Sequence, residues 1–127
     1  MTRSKGSSRC ATNGNDRLLD TNVVLYLLGG RLAAPLPERD YGVLVITEME
    51  LLAWPTLTEE EVRAFLVCEL TPAIRERAVA LRRSERLKLP DAIICATALE
   101  HGVELWTNDA RLAKVPGVTC RTAPIVP

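Results

Sequence analysis

Four carboxylates of this 127-residue chain stand where an α/β protein places its reactive groups, and these are Asp20, Glu50, Asp91 and Asp109. Each follows an apolar run or opens a helix, so in a parallel sheet all four would meet at the carboxyl ends of the strands. Clustered carboxylates repel one another unless one is protonated or a cation lies between them. Carboxylate oxygens suit Mg²⁺ or Mn²⁺, and such a metal polarises a phosphoryl oxygen. The four residues therefore predict a metal-dependent site for phosphoryl chemistry.

Each carboxylate also has an ordinary structural explanation. Asp20 could cap the helix that follows it. Asp91 and Asp109 could each stabilise a helix N-terminus through the helix dipole, by roughly 0.3–1 kcal/mol. Glu50 could be a solvated acid like its neighbour Glu48. The site is favoured because all four acids fall at one predicted edge of the sheet.

Short apolar runs alternate with helical patterns, and these elements must position the acids. The predicted strands are Arg17–Leu19, Val43–Ile46, Val67–Leu70, Val103–Trp106 and Val118–Cys120. The predicted helices are Thr21–Leu28, Thr47–Ala53, one opened by a Thr58–Glu61 capping box, Thr71–Arg86, one from Pro90 to Gly102, and a turn at Asp109–Ala113. Residues 31–41 are expected to form a loop. The alternation predicts an α/β fold with a mainly parallel central sheet flanked by helices.

The composition indicates one globular domain. Residues 1–16 lack hydrophobic periodicity and are expected to form a flexible N-terminal extension, which leaves residues 17–127 as the folded domain. Lys plus Arg (16) balance Asp plus Glu (16), which argues against a binder that relies on bulk positive charge. No apolar run approaches the roughly 18 residues of a membrane-spanning helix, and the N-terminus has no signal-peptide core. A cytoplasmic protein without a membrane partner is therefore expected.

The cysteines and the single histidine offer no competing chemistry. Cys10, Cys68, Cys95 and Cys120 lie far apart without a Cys-x-x-Cys pair, a spacing that fits no zinc-site pattern. Three of them lie in apolar segments, which is typical of buried thiols in a reducing cytosol. His101 stands at the end of a predicted helix, where a C-terminal capping role is expected.

Four motifs carry the acids: Leu18-Leu19-Asp20-Thr21-Asn22, Val45-Ile46-Thr47-Glu48-Met49-Glu50-Leu51, Lys88-Leu89-Pro90-Asp91-Ala92-Ile93-Ile94 and Thr107-Asn108-Asp109. On these motifs, in this order, residues 17–122 resemble a PIN-domain ribonuclease, and more narrowly a VapC-type toxin of a type II toxin–antitoxin pair. The resemblance implies a PIN-like fold and a metal-dependent endoribonuclease whose four acids surround Mg²⁺ or Mn²⁺. An RNA phosphodiester would be cut to leave a 5′-phosphate and a 3′-hydroxyl.

The resemblance also implies supporting residues and partners. Asn22, Thr107 and Asn108 would be hydrogen-bonding residues in or near the site. Toxins of this family are usually homodimers, and each is neutralised by a small antitoxin whose tail occupies the acidic groove. A homodimer and a VapB-type antitoxin are therefore the expected protein partners.

Three positions depart from the family pattern. Many relatives place a further acid and then Phe just after the last Asp, where this chain has Arg111 and Leu112. The missing acid argues against a fully occupied second metal site. Leu44 stands where many relatives have Ser, a change expected to affect packing more than chemistry.

A basic segment precedes the helix of Asp91. From Arg75 to Lys88 there are six basic residues and two acids, and RNA binding requires counter-charge that an acidic pocket cannot supply. The candidate phosphate contacts are Arg82, Arg83, Arg86 and Lys88. The alternative is a solvated helix face whose charges pair along the helix.

Two other function classes remain open beside the ribonuclease. A non-catalytic PIN-like module that binds RNA or protein is permitted by the missing acid, although the four retained acids argue against it. A phosphatase with an aspartyl nucleophile is disfavoured, because such enzymes need a second Asp two residues after the nucleophile and this chain has Asn22 there.

Overall fold

The computed structural model of this chain describes residues 17–33, 41–63 and 65–126. Its strands are β1 (Arg17–Leu19), β2 (Tyr41–Leu44), β3 (Leu66–Cys68), β4 (Glu104–Trp106) and β5 (Cys120–Arg121). Its α-helices are α1 (Thr21–Leu28), α2 (Val45–Leu52), α3 (Glu59–Arg63), α4 (Pro72–Glu85) and α5 (Leu89–His101), and a 3-10 helix covers Leu112–Lys114. The predicted extension at residues 1–16 and most of the predicted loop at 31–41 lie outside the described residues.

The five strands form one parallel sheet in the order β3-β2-β1-β4-β5. Leu18 of the central strand pairs with Gly42 on one side and with Leu105 on the other. Strands β2 and β3 are added on one side of β1, and the chain then crosses over so that β4 and β5 lie on the other side. The carboxyl ends of β1 and β4 therefore flank the switch point where open α/β sheets bind their ligands. The predicted α/β fold with a mainly parallel sheet is confirmed.

Two clusters of buried apolar side chains lie on opposite faces of the sheet. The cluster beneath α4 and α5 contains Leu18 and Leu105, and the cluster beneath α1, α2 and α3 contains Leu19 and Val43. Leu18 and Leu19 belong to different clusters because successive strand residues point to opposite faces. Helix α5 buries seven consecutive residues, Ala92–Ala98. This burial fixes the first turn of α5 at the carboxyl edge of the sheet.

Strand β2 begins and ends two residues earlier than the apolar run at Val43–Ile46 predicts. It ends at Leu44, and Val45 and Ile46 already belong to α2. The ladder with β3 ends at Leu44, and β1 pairs with β2 only as far as Gly42. Val45 and Ile46 are β-branched, but no neighbouring strand among the described residues pairs with them, so their preference for a sheet does not determine their structure. The strand prediction is wrong for these two residues, and α2 begins earlier than Thr47.

The edge strands are also shifted from their predicted positions. Strand β3 covers Leu66–Cys68 instead of Val67–Leu70, and β5 covers Cys120–Arg121 instead of Val118–Cys120. Each edge strand extends only as far as its one neighbour offers backbone partners, so apolar composition alone does not set its ends.

The predicted helix caps are present. The Thr58 backbone N–H donates to Glu61 Oε1 at 3.0 Å, and the Glu61 N–H donates to Thr58 Oγ1 at 3.2 Å, which is a reciprocal capping box. Thr71 Oγ1 accepts from the Ile74 N–H at 3.2 Å and so caps α4. Gly102 ends α5 in the left-handed region, with φ +65°.

The cysteines follow the sequence expectation in part. Cys95 is a buried free thiol, and Cys120 is a half-buried free thiol. Burial raises the pKa of the Cys95 thiol to about 12, so this group is no nucleophile at neutral pH. Cys68 is buried but disulfide-bonded, so the prediction of a free thiol is wrong at this position. Across the described residues, no helix has the length and apolar character to span a membrane.

Candidate active site

Three of the four predicted acids line one small cavity at the carboxyl edge of the sheet. Asp20 directly follows β1, Glu50 lies on α2, and Asp91 lies in the first turn of α5. Their side chains border a cavity of about 40 Å³, together with Thr21, Thr47 and apolar residues that include Leu44. We call this the acid cavity. Asp109 does not line this cavity, but Arg111 contacts both Asp109 and Asp91.

Asp20 is held through both of its carboxylate oxygens. Oδ1 accepts from the Thr21 N–H at 2.8 Å, so Asp20 is the N-cap of α1. Oδ2 accepts from the Thr107 hydroxyl at 2.8 Å, and Thr107 Oγ1 in turn accepts from the Asp109 N–H at 3.1 Å. The buried Thr107 therefore connects the end of β4 to the end of β1. The helix-cap explanation and the site hypothesis describe the same residue and do not exclude each other.

Glu50 is oriented by two threonines that the sequence hypothesis did not include. The Thr21 hydroxyl donates to Glu50 Oε1 at 2.9 Å and lies 3.0 Å from Thr47 Oγ1. Because a hydroxyl has one hydrogen, Thr47 must donate to Thr21 when Thr21 donates to Glu50. Thr47 is 3% exposed. The signal for both was present, since Thr21 follows Asp20 and Thr47 precedes Glu50 by about one helical turn.

The two asparagines have different surroundings. The Asn108 side chain pairs with the backbone of Ala123 in both directions, donating to the carbonyl oxygen at 3.0 Å and accepting from the N–H at 2.8 Å. It therefore positions the segment after β5. Asn22 is exposed on α1, and in the part of the chain described here its side chain makes no hydrogen bond.

Arg111, the departure from the family pattern, holds the remaining acid. Its Nε donates to Asp109 Oδ1 at 3.0 Å and its Nη2 donates to Asp109 Oδ2 at 2.6 Å. The same Nη2 lies 3.4 Å from Asp91 Oδ2. One guanidinium therefore neutralises the side of the site where Asp91 and Asp109 meet. The neighbouring Leu112 is completely buried, so it fills the core as an apolar residue.

The two acids that share Arg111 have pKa values shifted in opposite directions. Burial raises the pKa of Asp91, Arg111 opposes the rise, and the negative charges of Asp109 and Asp20 add to it. Side-chain hydrogen bonds from Arg111 lower the pKa of Asp109. The surroundings of Asp91 thus tolerate its negative charge less well than the surroundings of Asp109 do, and a second cation near Asp91 would be stabilising.

The acid cavity offers the oxygen donors that a hard divalent cation prefers. In the described ranges, however, no three His, Cys, Asp or Glu side chains are arranged as a metal-binding group. The carboxylates of Asp20, Glu50 and Asp91 are nevertheless hard oxygen donors that border one cavity, which is the ligand chemistry that a hard divalent cation prefers. Asp109 is already paired with Arg111, so it is the least available of the four predicted ligands.

The four predicted phosphate-binding residues divide into two pairs. Arg82 and Arg83 lie exposed on the last turn of α4. Arg86 and Lys88 line a second cavity, which borders Arg111 and has a volume of about 380 Å³. The structure brings only this second pair next to the acids.

The profile of the PIN domain family matches residues 17–118. The chain belongs to the PIN domain family. Comparison with curated protein sequences gives no significant match. The family match and the parallel sheet with its acids at the carboxyl edge confirm the resemblance that the four motifs predict.

Solved structures similar to this PIN domain include a toxin–antitoxin complex and two VapBC structures. A toxin–antitoxin complex from Klebsiella pneumoniae contains a chain 37% identical, with a TM-score of 0.66 over 81% of this chain and 95% of that chain. VapBC2 from Rickettsia felis, bound to a DNA fragment from its promoter, matches with 13% identity and a TM-score of 0.66 over 85% and 98% of the two chains. VapBC-1 from nontypeable Haemophilus influenzae matches with 21% identity and a TM-score of 0.63 over 84% and 97%. The last two show the fold alone.

Proposed function

We propose that this PIN domain is a metal-dependent endoribonuclease and the toxin of a VapBC-type toxin–antitoxin pair. The observation that carries the proposal is the acid cavity, where Asp20, Glu50 and Asp91 meet at the switch point of the sheet. Membership of the PIN family supports the nuclease. The toxin role is supported by the 37% identity to a chain of the Klebsiella complex.

In this proposal, Asp20, Glu50 and Asp91 would hold Mg²⁺ or Mn²⁺. When bound, such a cation supplies Lewis-acid polarisation of a phosphoryl oxygen. The residues around the acids fix them before substrate arrives: Thr107 holds Asp20, and Thr21 holds Glu50. Because these hydroxyls fix the carboxylate oxygens in advance, little reorganisation is needed during the reaction.

Arg111 would have a separate task at the same site. It is exposed and cationic and lies against Asp91 and Asp109, at the position where many PIN relatives carry an acid. A guanidinium is well suited to bind a phosphate in a bidentate manner. We therefore place Arg111 beside the RNA backbone, and Asp109 as the residue that orients Arg111.

The proposed protein partners are a VapB-type antitoxin and a second copy of this chain. A cation-rich antitoxin tail would suit the acid cavity, because three carboxylates line it and no lysine or arginine of the described residues does. Occupation of the cavity by such a tail would exclude the metal and the RNA together.

Induced expression in a bacterial host tests this function. Wild type is expected to arrest growth and to degrade cellular RNA. Glu50→Gln is expected to abolish the growth arrest and to lower the rate of RNA cleavage by about 100-fold or more, because it removes a carboxylate that would hold the cation. Glu48→Gln is the matched control, because it removes the same charge two residues away on α2 and does not line the acid cavity. Equal growth arrest by wild type and Glu50→Gln would contradict the site assignment.

The second candidate is a non-catalytic PIN-like module that binds RNA or protein. One observation favours it: Arg111 already neutralises Asp109 and contacts Asp91, so part of the acidic set is satisfied without a metal ion. A purified protein that binds RNA but never cleaves it, with Mg²⁺ or Mn²⁺ present, would favour this alternative.

A further inference from the structure

A second cavity, rich in basic residues, lies beside the acid cavity. It has a volume of about 380 Å³ and is lined by Glu85, Arg86, Leu87, Lys88, Arg111, Lys114 and Val115. Four of these side chains are cationic and one is anionic, so three positive charges are in excess. We call it the basic cavity.

Three of the four cations of the basic cavity are free to bind a ligand. Arg86, Lys88 and Lys114 are exposed, and none of them makes an ion pair or a side-chain hydrogen bond within the residues that the structure describes. Other surface arginines do find partners, for example Arg77 with Glu100 at 3.0 Å. Unpaired like charges that border one cavity repel one another, and a bound anion would relieve that repulsion.

The positions of these cations in the backbone explain why they border the same cavity. Arg86 ends α4 in the left-handed region, with φ 56° and ψ 37°, and Lys88 is the N-cap of α5. The turn between the two helices therefore presents two cations within three residues. Lys114 follows Arg111 by three residues at the 3-10 helix, and residues with this spacing lie on the same side of such a helix.

The two cavities meet at a single contact. Arg111 lines the basic cavity, and its Nη2 lies 3.4 Å from Oδ2 of Asp91, which lines the acid cavity. Lys88 lies close enough to Asp91 to oppose the rise in its pKa. An extended anionic chain that lies along Arg111 and Lys88 could therefore contact both cavities.

We propose that the basic cavity binds a backbone phosphate of the RNA strand, next to the phosphodiester that the acid cavity would receive. This inference rests on the proposed function. RNA is favoured over an acidic protein segment because one repeating anion would suit both cavities, provided that a divalent cation occupies the first. An acidic peptide would suit the basic cavity alone. No aromatic side chain lines the basic cavity, so binding there should depend on phosphate and not on base identity.

Binding of a short fluorescein-labelled oligouridine, followed by anisotropy in EDTA so that no metal-dependent cleavage occurs, tests the proposal. The cavity variant is Arg86→Gly with Lys114→Ala. The matched control is Arg75→Ala with Arg77→Ala, which removes the same charge from α4 at positions that line neither the basic cavity nor the acid cavity. Thermal unfolding of both variants establishes that they are folded.

The cavity variant is expected to bind about tenfold or more weakly than wild type, and its slope of log affinity against log salt should be shallower by about 0.7, for one lost phosphate contact on a single strand. The control should bind within about twofold of wild type. Equal losses in both variants would mean that bulk charge binds the RNA and would overturn the proposal. Unchanged RNA binding by the cavity variant would also overturn the proposal. So would an acidic peptide of equal charge that binds wild type as tightly as the oligouridine does.

Failure of this inference can be told from failure of the proposed function. The binding assay in EDTA does not depend on catalysis, whereas RNA cleavage with Mn²⁺ tests the acid cavity. Cleavage by wild type with no effect of the cavity variant on binding would overturn the basic cavity alone. Loss of binding in the cavity variant without any cleavage by wild type would overturn the nuclease alone.

Discussion

At the scale of single residues, Thr107 and Arg111 set the state of the acids. The Thr107 hydroxyl holds Asp20, and Arg111 holds Asp109 and contacts Asp91. As a result Asp91 and Asp109 differ, although both lie at the same edge of the sheet. Burial raises the pKa of Asp91, whereas hydrogen bonds from Arg111 lower the pKa of Asp109. The arginine was visible in the sequence as a departure, but its pairing with both acids was not.

Replacement of Asp91 by Asn is expected to stabilise the metal-free protein at neutral pH. Because the pKa of Asp91 is raised above 3.8 on folding, the folded state binds this proton more tightly than the unfolded chain does. The stability that this group contributes is therefore present below pH 3.8 and is lost as the pH rises through the folded-state pKa. Because asparagine does not ionise, the variant does not lose this stability as the pH rises. Thermal unfolding in EDTA should give a higher midpoint for the variant at neutral pH and a smaller difference in acid.

Metal ions should reverse that order. Mn²⁺ is expected to stabilise wild type, by about 2.7 kcal/mol at a free concentration one hundred times the dissociation constant, because it binds only the folded state. The Asp91→Asn variant should gain much less. Glu48→Gln is the control for loss of one carboxylate outside the acid cavity. A wild-type unfolding midpoint that does not change on addition of Mn²⁺, on the order of a few millimolar, would argue against metal binding at these acids.

At the scale of elements, the turn between α4 and α5 contains a non-glycine residue with a left-handed backbone. Arg86 occupies a left-handed backbone conformation that glycine adopts at much lower cost. Gly102 occupies the equivalent position after α5, with φ +65°. An arginine at a position where glycine would have the lower backbone energy is consistent with a task for its charge in the basic cavity.

Arg86→Gly is therefore expected to raise the free energy of unfolding by about 0.5–1 kcal/mol, because it relieves the left-handed strain at this cap. Gly102→Ala is the matched control and should lower the free energy of unfolding by about 1 kcal/mol for the converse reason. A Cβ at Gly102 would meet nothing within 4 Å, so the control isolates the backbone term. Urea unfolding measures both. Destabilisation by Arg86→Gly would show that the Arg86 side chain contributes packing that its exposure does not suggest.

The elements themselves were largely predictable from sequence, and their ends were not. Helix α5 was recognisable from Pro90 and Gly102, and α4 from Thr71 and Pro72, because caps and breakers act locally. The end of β2 at Leu44 was not predictable, because it depends on where β1 and β3 stop. The same limit applies to the site: the acids were identified from their motifs, whereas Thr47 and Arg111 required the packing of distant segments.

At the scale of the whole molecule, a formal charge of zero conceals two opposed surfaces that lie side by side. The acid cavity collects three carboxylates at the switch point of the sheet, and the basic cavity collects four cations next to it. The balanced composition argues only against a protein that binds nucleic acid by its net charge. It does not argue against a nucleic-acid enzyme, because acidic and basic residues are collected in two separate cavities. The fold brings the opposed charges together at the contact between Arg111 and Asp91.

Cleavage of total RNA by purified, antitoxin-free protein tests the central claim most directly, with Mn²⁺ or EDTA present and Asp91→Asn as the comparison. Wild type with Mn²⁺ should give discrete fragments with 5′-phosphate and 3′-hydroxyl ends, and EDTA or Asp91→Asn should abolish them. Fragments that appear equally in EDTA, or equally with Asp91→Asn, would contradict a metal-dependent nuclease centred on the acid cavity. A folded wild type that cleaves nothing with either metal would contradict it as well.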